Sequence, residues 1–247
     1  MSCGRAIRLC AALATAAPIS CAAVGPDSPP FEVLSIQPAT ESLAAETIYP
    51  LTTTQWTYET AQRGGAIEPV IYRRLRTKRF GATWVTHHGD ERSEFWRLDD
   101  DQNVVMTAVI SHVDRAISLF QPPLIVAYHA LRPGEVRQHE VAMRVVDARN
   151  PSRQRESGKA RRTIQYVGDY LIRTPMGEML TKRVDVSFTA DLQFADANTT
   201  SVIYVAEGLG PVVEQRMQVV RILGLSARRR YQTLLLTSKS PEDSGSP

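Results

Sequence analysis

The chain has 247 residues, with 29 Lys and Arg against 26 Asp and Glu and a formal charge of +3. That balance gives no global footprint for nucleic acid or an acidic substrate, and the length suits one domain with a core large enough to do without disulfides. The three cysteines, Cys3, Cys10 and Cys21, all fall in the first 21 residues. The rest of the chain therefore has no cysteine nucleophile, disulfide pair or thiolate metal site.

Residues 1–20 read as a signal peptide. Arg5 and Arg8 precede an apolar run from Leu9 to Ala17, followed by Pro18-Ile19-Ser20-Cys21, the order of an export signal. The run is too short to span a bilayer, which takes about 20 apolar residues. Ser20 before Cys21 matches lipoprotein processing, with Cys21 as the lipidated first residue of the mature chain. Pro18 stands where an aliphatic residue is usual, and ordinary cleavage near Ala16, Ala22 or Ala23 is the competing reading, giving a secreted protein. Loss of residues 1–20 removes Arg5 and Arg8 and no acid, so the charge falls from +3 to +1. The expected location is the periplasmic side of a bacterial membrane, held by an N-terminal lipid anchor.

Residues 21–30, rich in Ala, Gly and Pro, read as a flexible tether. From 31 to 238 the sequence predicts a single β-rich domain, and 239–247 a disordered tail. Trp56-Thr57-Tyr58-Glu59 alternates bulky and polar residues as a half-buried strand does. Val70–Phe80, Thr83–Thr86, Ser93–Leu98 and Asn103–His112 are further β-prone segments between Gly and Asp turns. Pro122-Pro123 opens a second section, with strands at Leu124–Tyr128 and Gln138–Val146. Asn150–Arg162 reads as a solvated loop or hairpin end. Strands follow at Thr163–Val167, Tyr170–Arg173 and Glu178–Phe188, the last two bracketing a Thr174–Gly177 turn. Ser201–Val205, Val212–Val220 and Tyr231–Thr237 complete the series, with Arg228-Arg229-Arg230 assigned to a turn. No stretch carries a clean helical period between strands. The fold class is all-β, an antiparallel curled sheet closing into a half-barrel or barrel, or two packed sheets.

Several punctuating segments resemble those of a group of poorly characterised bacterial exported proteins and lipoproteins. They are Tyr49-Pro50-Leu51 with Trp56-Thr57-Tyr58, Thr174-Pro175-Met176-Gly177, Gly208-Leu209-Gly210-Pro211-Val212-Val213-Glu214, and Pro122-Pro123-Leu124 with Pro133-Gly134. Two departures stand out: the spacing from Leu51 to Trp56 lacks a glycine, and Pro211 replaces an apolar residue. The resemblance implies an all-β exported protein similar to lipoprotein carriers, and it assigns no catalytic residue.

Site candidates are few. Trp56, Tyr58, Trp84 and Trp96, with Phe95 and Tyr166, could line a concave face and hold an apolar ligand; an ordinary core is the plainer account. Arg74, Arg76 and Lys78 share one strand face and could meet an anionic surface, against the plainer account of a solvated edge. His87-His88 point to opposite faces of a strand, which disfavours joint metal binding. Asp99-Asp100-Asp101 lacks the spacing of a calcium loop. No metal site, cofactor motif or nucleophile motif is found. The leading functional expectation is a non-catalytic envelope scaffold for binding a protein partner. A carrier of a lipid or other apolar ligand comes second, and a hydrolase with a loop-built site third.

Overall fold

A computed structural model describes residues 31–62 and 67–241. Residues 1–30, which hold the expected signal peptide, Cys21 and the expected tether, lie outside the described residues, as do the last six. The fold is a closed antiparallel barrel of twelve strands.

Going round the wall, β3 (Thr54–Gln62) pairs with β4 (Glu68–Arg76), followed by β5 (Trp84–His88), β6 (Arg92–Leu98), β7 (Val104–Ser111), β8 (Ala116–Ala127) and β10 (Val136–Asp147). Then come β11 (Gln154–Thr174), β12 (Gly177–Leu192), β13 (Ala195–Ala206), β14 (Gly210–Ile222) and β15 (Leu225–Pro241), which pairs back onto β3. The 21-residue β11 is the longest strand. From Gly158 to Thr174 it meets β12, while its other edge is shared between β10 and the short β1 (Glu32–Gln37). Full closure removes the exposed strand edges that an open sheet must protect.

Several boundaries differ from the sequence expectation. The polar segment read as a loop enters β11 at Gln154, because its charges have partners across the strands. Lys159 and Arg161 both bind Glu140 on β10, at 2.9 and 2.6 Å, while Ala160 between them is fully buried. Gly158 is needed there, since a Cβ would lie 1.9 Å from the Asp191 carbonyl of β12. Pro122-Pro123 do not open a new section but bend β8 internally. Without N–H groups they interrupt the β7 ladder between the Ala108–Leu119 and Met106–Leu124 pairs. Arg228, Arg229 and Arg230 lie within β15, and that strand runs to Pro241, three residues past the expected domain end.

A twelve-stranded barrel is wider than the eight strands whose own side chains fill the interior. The chain solves this with its N-terminal segment. Residues 43–50 turn inward through a two-residue strand β2 (Leu43–Ala44), paired with β9 (Ala130–Leu131), and one turn of helix, α1 (Ala45–Ile48). The helix packs against β13 and β14. Leu43, Ala45 and Ile48 join Trp84, Trp96, Leu124, Ile164, Tyr166 and Val184 in the main core. Phe95 belongs to a separate cluster on the opposite face of β6, with Val85, Ala108, Ile110 and Val146, against which Phe80 packs.

Candidate functional site

Strand register builds the site in cross-strand rows. Trp56, Tyr72, His88 and Arg92 are direct neighbours across β3 to β6. The next row is Thr54, Arg74, Thr86 and Glu94, and the one beyond is Arg76, Trp84, Trp96 and Met106. Across the lumen, β12 to β14 contribute Val186, Ser201 and Arg216 in one row, and β13 and β14 contribute Ile203 and Glu214 in another. Between these walls and the Ile48–Pro50 segment lies a cavity of about 170 Å³.

Its polar half is an ion-pair network. Glu94 is contacted by Arg92 at 2.7 Å and by His88 Nε2 at 3.1 Å. Glu214 pairs with Arg216 at 2.7 Å. Burial alone would raise both carboxyls, yet Arg92 and His88 hold Glu94, and Arg216 holds Glu214, below the ordinary carboxylate range. Arg74 is 5% exposed; it donates to Thr86 Oγ1 at 2.8 Å and to the Pro50 carbonyl at 2.5 Å. Burial draws its pKa down to about 10, which leaves it cationic at neutral pH. Tyr72 sits edge-on to His88 at 4.2 Å, and burial pushes its hydroxyl up to about 12.

Burial also depresses the His88 pKa below 6.5, against the opposing pull of Glu94. A group depressed on folding stabilises the protein fully above its unfolded pKa and ceases to do so as pH falls through its folded one. Thermal stability is therefore expected to decline as pH drops below about 6.5, and His88→Gln should flatten that decline. His139, also lowered by burial, contributes in the same direction, so the variant's slope is to be compared with wild type rather than with zero. A wild-type midpoint constant from pH 7.5 to 5.5 would contradict the assignment.

The sequence candidates are divided by the fold. Trp56, Tyr58 and Trp96 line the cavity, whereas Trp84 is buried beside Trp96 and carries Arg76 over its ring at 3.7 Å. Phe95 faces away, and Tyr166 is fully buried with its hydroxyl bonded to Asp169. The basic ridge is corrected: Arg74 points into the lumen, while Arg76 and Lys78 are exposed at and beyond the strand end. Asp99 closes its turn by accepting from the Asn103 backbone at 2.8 Å. His87 and His112 each contact Ser93 Oγ at 2.8 Å, away from His88. Glu94, Glu214, Arg162 and Arg216 were not anticipated. Their signal was available in part, since Glu94 lies two residues from Trp96 and so shares its face.

Segments far apart in sequence meet at one end of the cavity. Trp56 Nε1 donates to the Leu209 carbonyl and Tyr58 Oη to that of Pro211, both at 2.9 Å. Gly210, at φ +83°, allows Pro50 to pack so closely that a Cβ would sit 3.0 Å from its ring. Trp96 differs from Trp56. Its indole N–H is buried with no hydrogen-bond partner among the described residues, as are Arg162 Nε and both His88 ring nitrogens, Nε2 meeting Glu94 only as an ion-pair contact at 3.1 Å.

No protein-family model matches the chain, and no curated protein matches it. Among solved structures, the chain is similar to one described as a "putative lipoprotein" from Parabacteroides distasonis ATCC 8503. The TM-score is 0.37 at 8% identity, over 83% of this chain and the whole of that one.

Proposed function

We propose that this is an exported envelope lipoprotein, anchored through Cys21, that binds a small molecule inside its barrel. The carrying observation is the set of buried donors and acceptors without partners on the wall of a cavity. Leaving such groups unsatisfied costs about 1–3 kcal/mol each, and a ligand would relieve that cost. At about 170 Å³ the space is below the roughly 300–1,000 Å³ of drug-sized sites, which favours a compact occupant over a diacyl lipid. The lipid carrier is thereby narrowed to a small-molecule binder, and this reading replaces a scaffold with no ligand.

A second reading rests on the His88–Glu94 pair. A carboxylate at one ring nitrogen and a free second nitrogen is the arrangement of an oriented general base. No activated nucleophile accompanies it among the described residues, so binding is preferred.

Native mass spectrometry of the full chain, extracted from its own envelope in mild detergent, tests both parts. The expected spectrum carries acyl mass on Cys21 and a one-to-one small-molecule adduct recovered chemically intact. An unacylated chain would refute the anchor. A stoichiometric protein partner with no small molecule would restore the scaffold, and conversion of the bound molecule that ceases in His88→Gln would establish the enzyme.

A further inference from the structure

The cavity wall has an excess of positive charge. Four guanidinium groups, those of Arg74, Arg92, Arg162 and Arg216, face two carboxylates, Glu94 and Glu214. The carboxylates are already engaged by Arg92 and Arg216. Arg74 donates to a hydroxyl and a carbonyl, and its guanidinium lies 5.2 Å from the Trp56 ring centre. Arg162 is held by the Tyr49 hydroxyl at 3.2 Å, with its Nε unpartnered among the described residues. Neither forms an ion pair with a carboxylate among the described residues. Arg74 is buried and Arg162 half-buried, and a buried charge without a counter-charge is strongly disfavoured.

The two surplus cations converge on one residue. Arg162 bonds the Tyr49 hydroxyl, and the Arg74 guanidinium lies 5.9 Å from the Tyr49 ring centre. That ring packs on Trp96 at 4.9 Å, whose buried N–H lacks an acceptor. Two positive groups and a neutral donor thus gather around Tyr49 on the cavity wall. The wall also carries the apolar side chains of Met106, Val186 and Phe188, with Ser201 and Thr199 as the cross-strand neighbours of the last two.

Resting on the interior-ligand reading above, we infer that the ligand is a compact organic carboxylate. Its charged end meets Arg74, Arg162 and the Trp96 indole N–H beside Tyr49, and its body lies on the apolar wall. Arginine forks and an indole N–H suit a carboxylate's two oxygens. The apolar wall distinguishes an organic anion from a bare inorganic one.

The test uses the purified full chain, freed of any co-purified molecule, and three probes measured by calorimetry with tryptophan fluorescence as a second readout. Octanoate supplies both features, octan-1-ol only the apolar body, and inorganic phosphate only the charge. Octanoate is expected to bind one-to-one, at least about tenfold tighter than octan-1-ol, since a charge-assisted hydrogen bond is worth about 1.5–3 kcal/mol. Arg162→Gln and Trp96→Phe should each weaken octanoate by about tenfold and leave octan-1-ol unchanged, whereas Arg162→Lys should retain part of the preference. The wild-type comparison needs no variant to fold. Equal binding of octanoate and octan-1-ol would overturn the anion assignment and leave the interior-ligand reading standing. Phosphate binding as tight as octanoate would overturn the organic body. Binding of none of the three, with no co-purified molecule, would overturn both.

Discussion

Trp96→Ala is expected to destabilise the protein by about 3–5 kcal/mol, the range for removing a large buried aromatic. Trp96 is 3% exposed. It packs across strands against Trp84 and Met106 and stacks under Tyr49. Its loss would enlarge the existing cavity and remove the platform that holds the N-terminal segment inside the barrel. Urea unfolding followed by circular dichroism measures the first effect. Limited proteolysis measures the second, as new cleavage within residues 38–53. Trp96→Phe keeps most of the ring volume, and its lost N–H had no partner among the described residues, so its cost should stay below about 1.5 kcal/mol. Similar losses for both variants would refute the packing account.

Glu94→Ala should cost roughly 3 kcal/mol, the lower end of the range for breaking a buried ion pair, because Arg92 keeps 32% side-chain exposure. The damage comes from what remains. Arg92 loses its counter-charge and His88 the carboxylate beside its Nε2, both inside the barrel. Removing Arg92 as well should therefore recover part of the loss, and the coupling is measurable by a double-mutant cycle. Additive losses would show that the pair contributes nothing beyond its separate residues. Glu94 is held below its ordinary pKa of 4.5. Its contribution is thus full above that pH and disappears as the solution is acidified further.

The wall of the barrel was largely legible from alternation. Trp56-Thr57-Tyr58 and Glu178–Phe188 announce strands, and the Thr174–Gly177 turn closes its hairpin with Thr174 opposite Gly177. Closure of the barrel was one of several arrangements left open, because pairing of β15 with β3 is a contact between the two ends of the chain that no local pattern encodes. The charged interior was hidden by a different cause. Arg74, grouped with Arg76 and Lys78, reads as part of a solvated ridge. Continuing the same parity backwards adds Tyr72 and Val70, which mark the face as inward. A charge on an inward face appears only where side chains from several strands can satisfy it, and Thr86 and Pro50 do so from other elements. Glu214 and Arg216, two residues apart on β14, pair along one strand face, which a search for catalytic or metal spacing does not reveal.

The pairing of β15 with β3 also fixes the order of events in assembly. Tyr58 finds its ladder partner Leu236 only after nearly the whole chain has been laid down. Until then β3 and β14 each present an unpaired edge, and the segment around Tyr49 has no enclosed space to occupy. A topology dominated by such distant contacts folds slowly, on the millisecond-to-second scale typical of β-rich domains. During that interval the incomplete barrel is open to pairing with other chains. Any truncation that removes β15 leaves the molecule permanently in this vulnerable form, with the ion-pair network around Glu94 and Glu214 exposed to water.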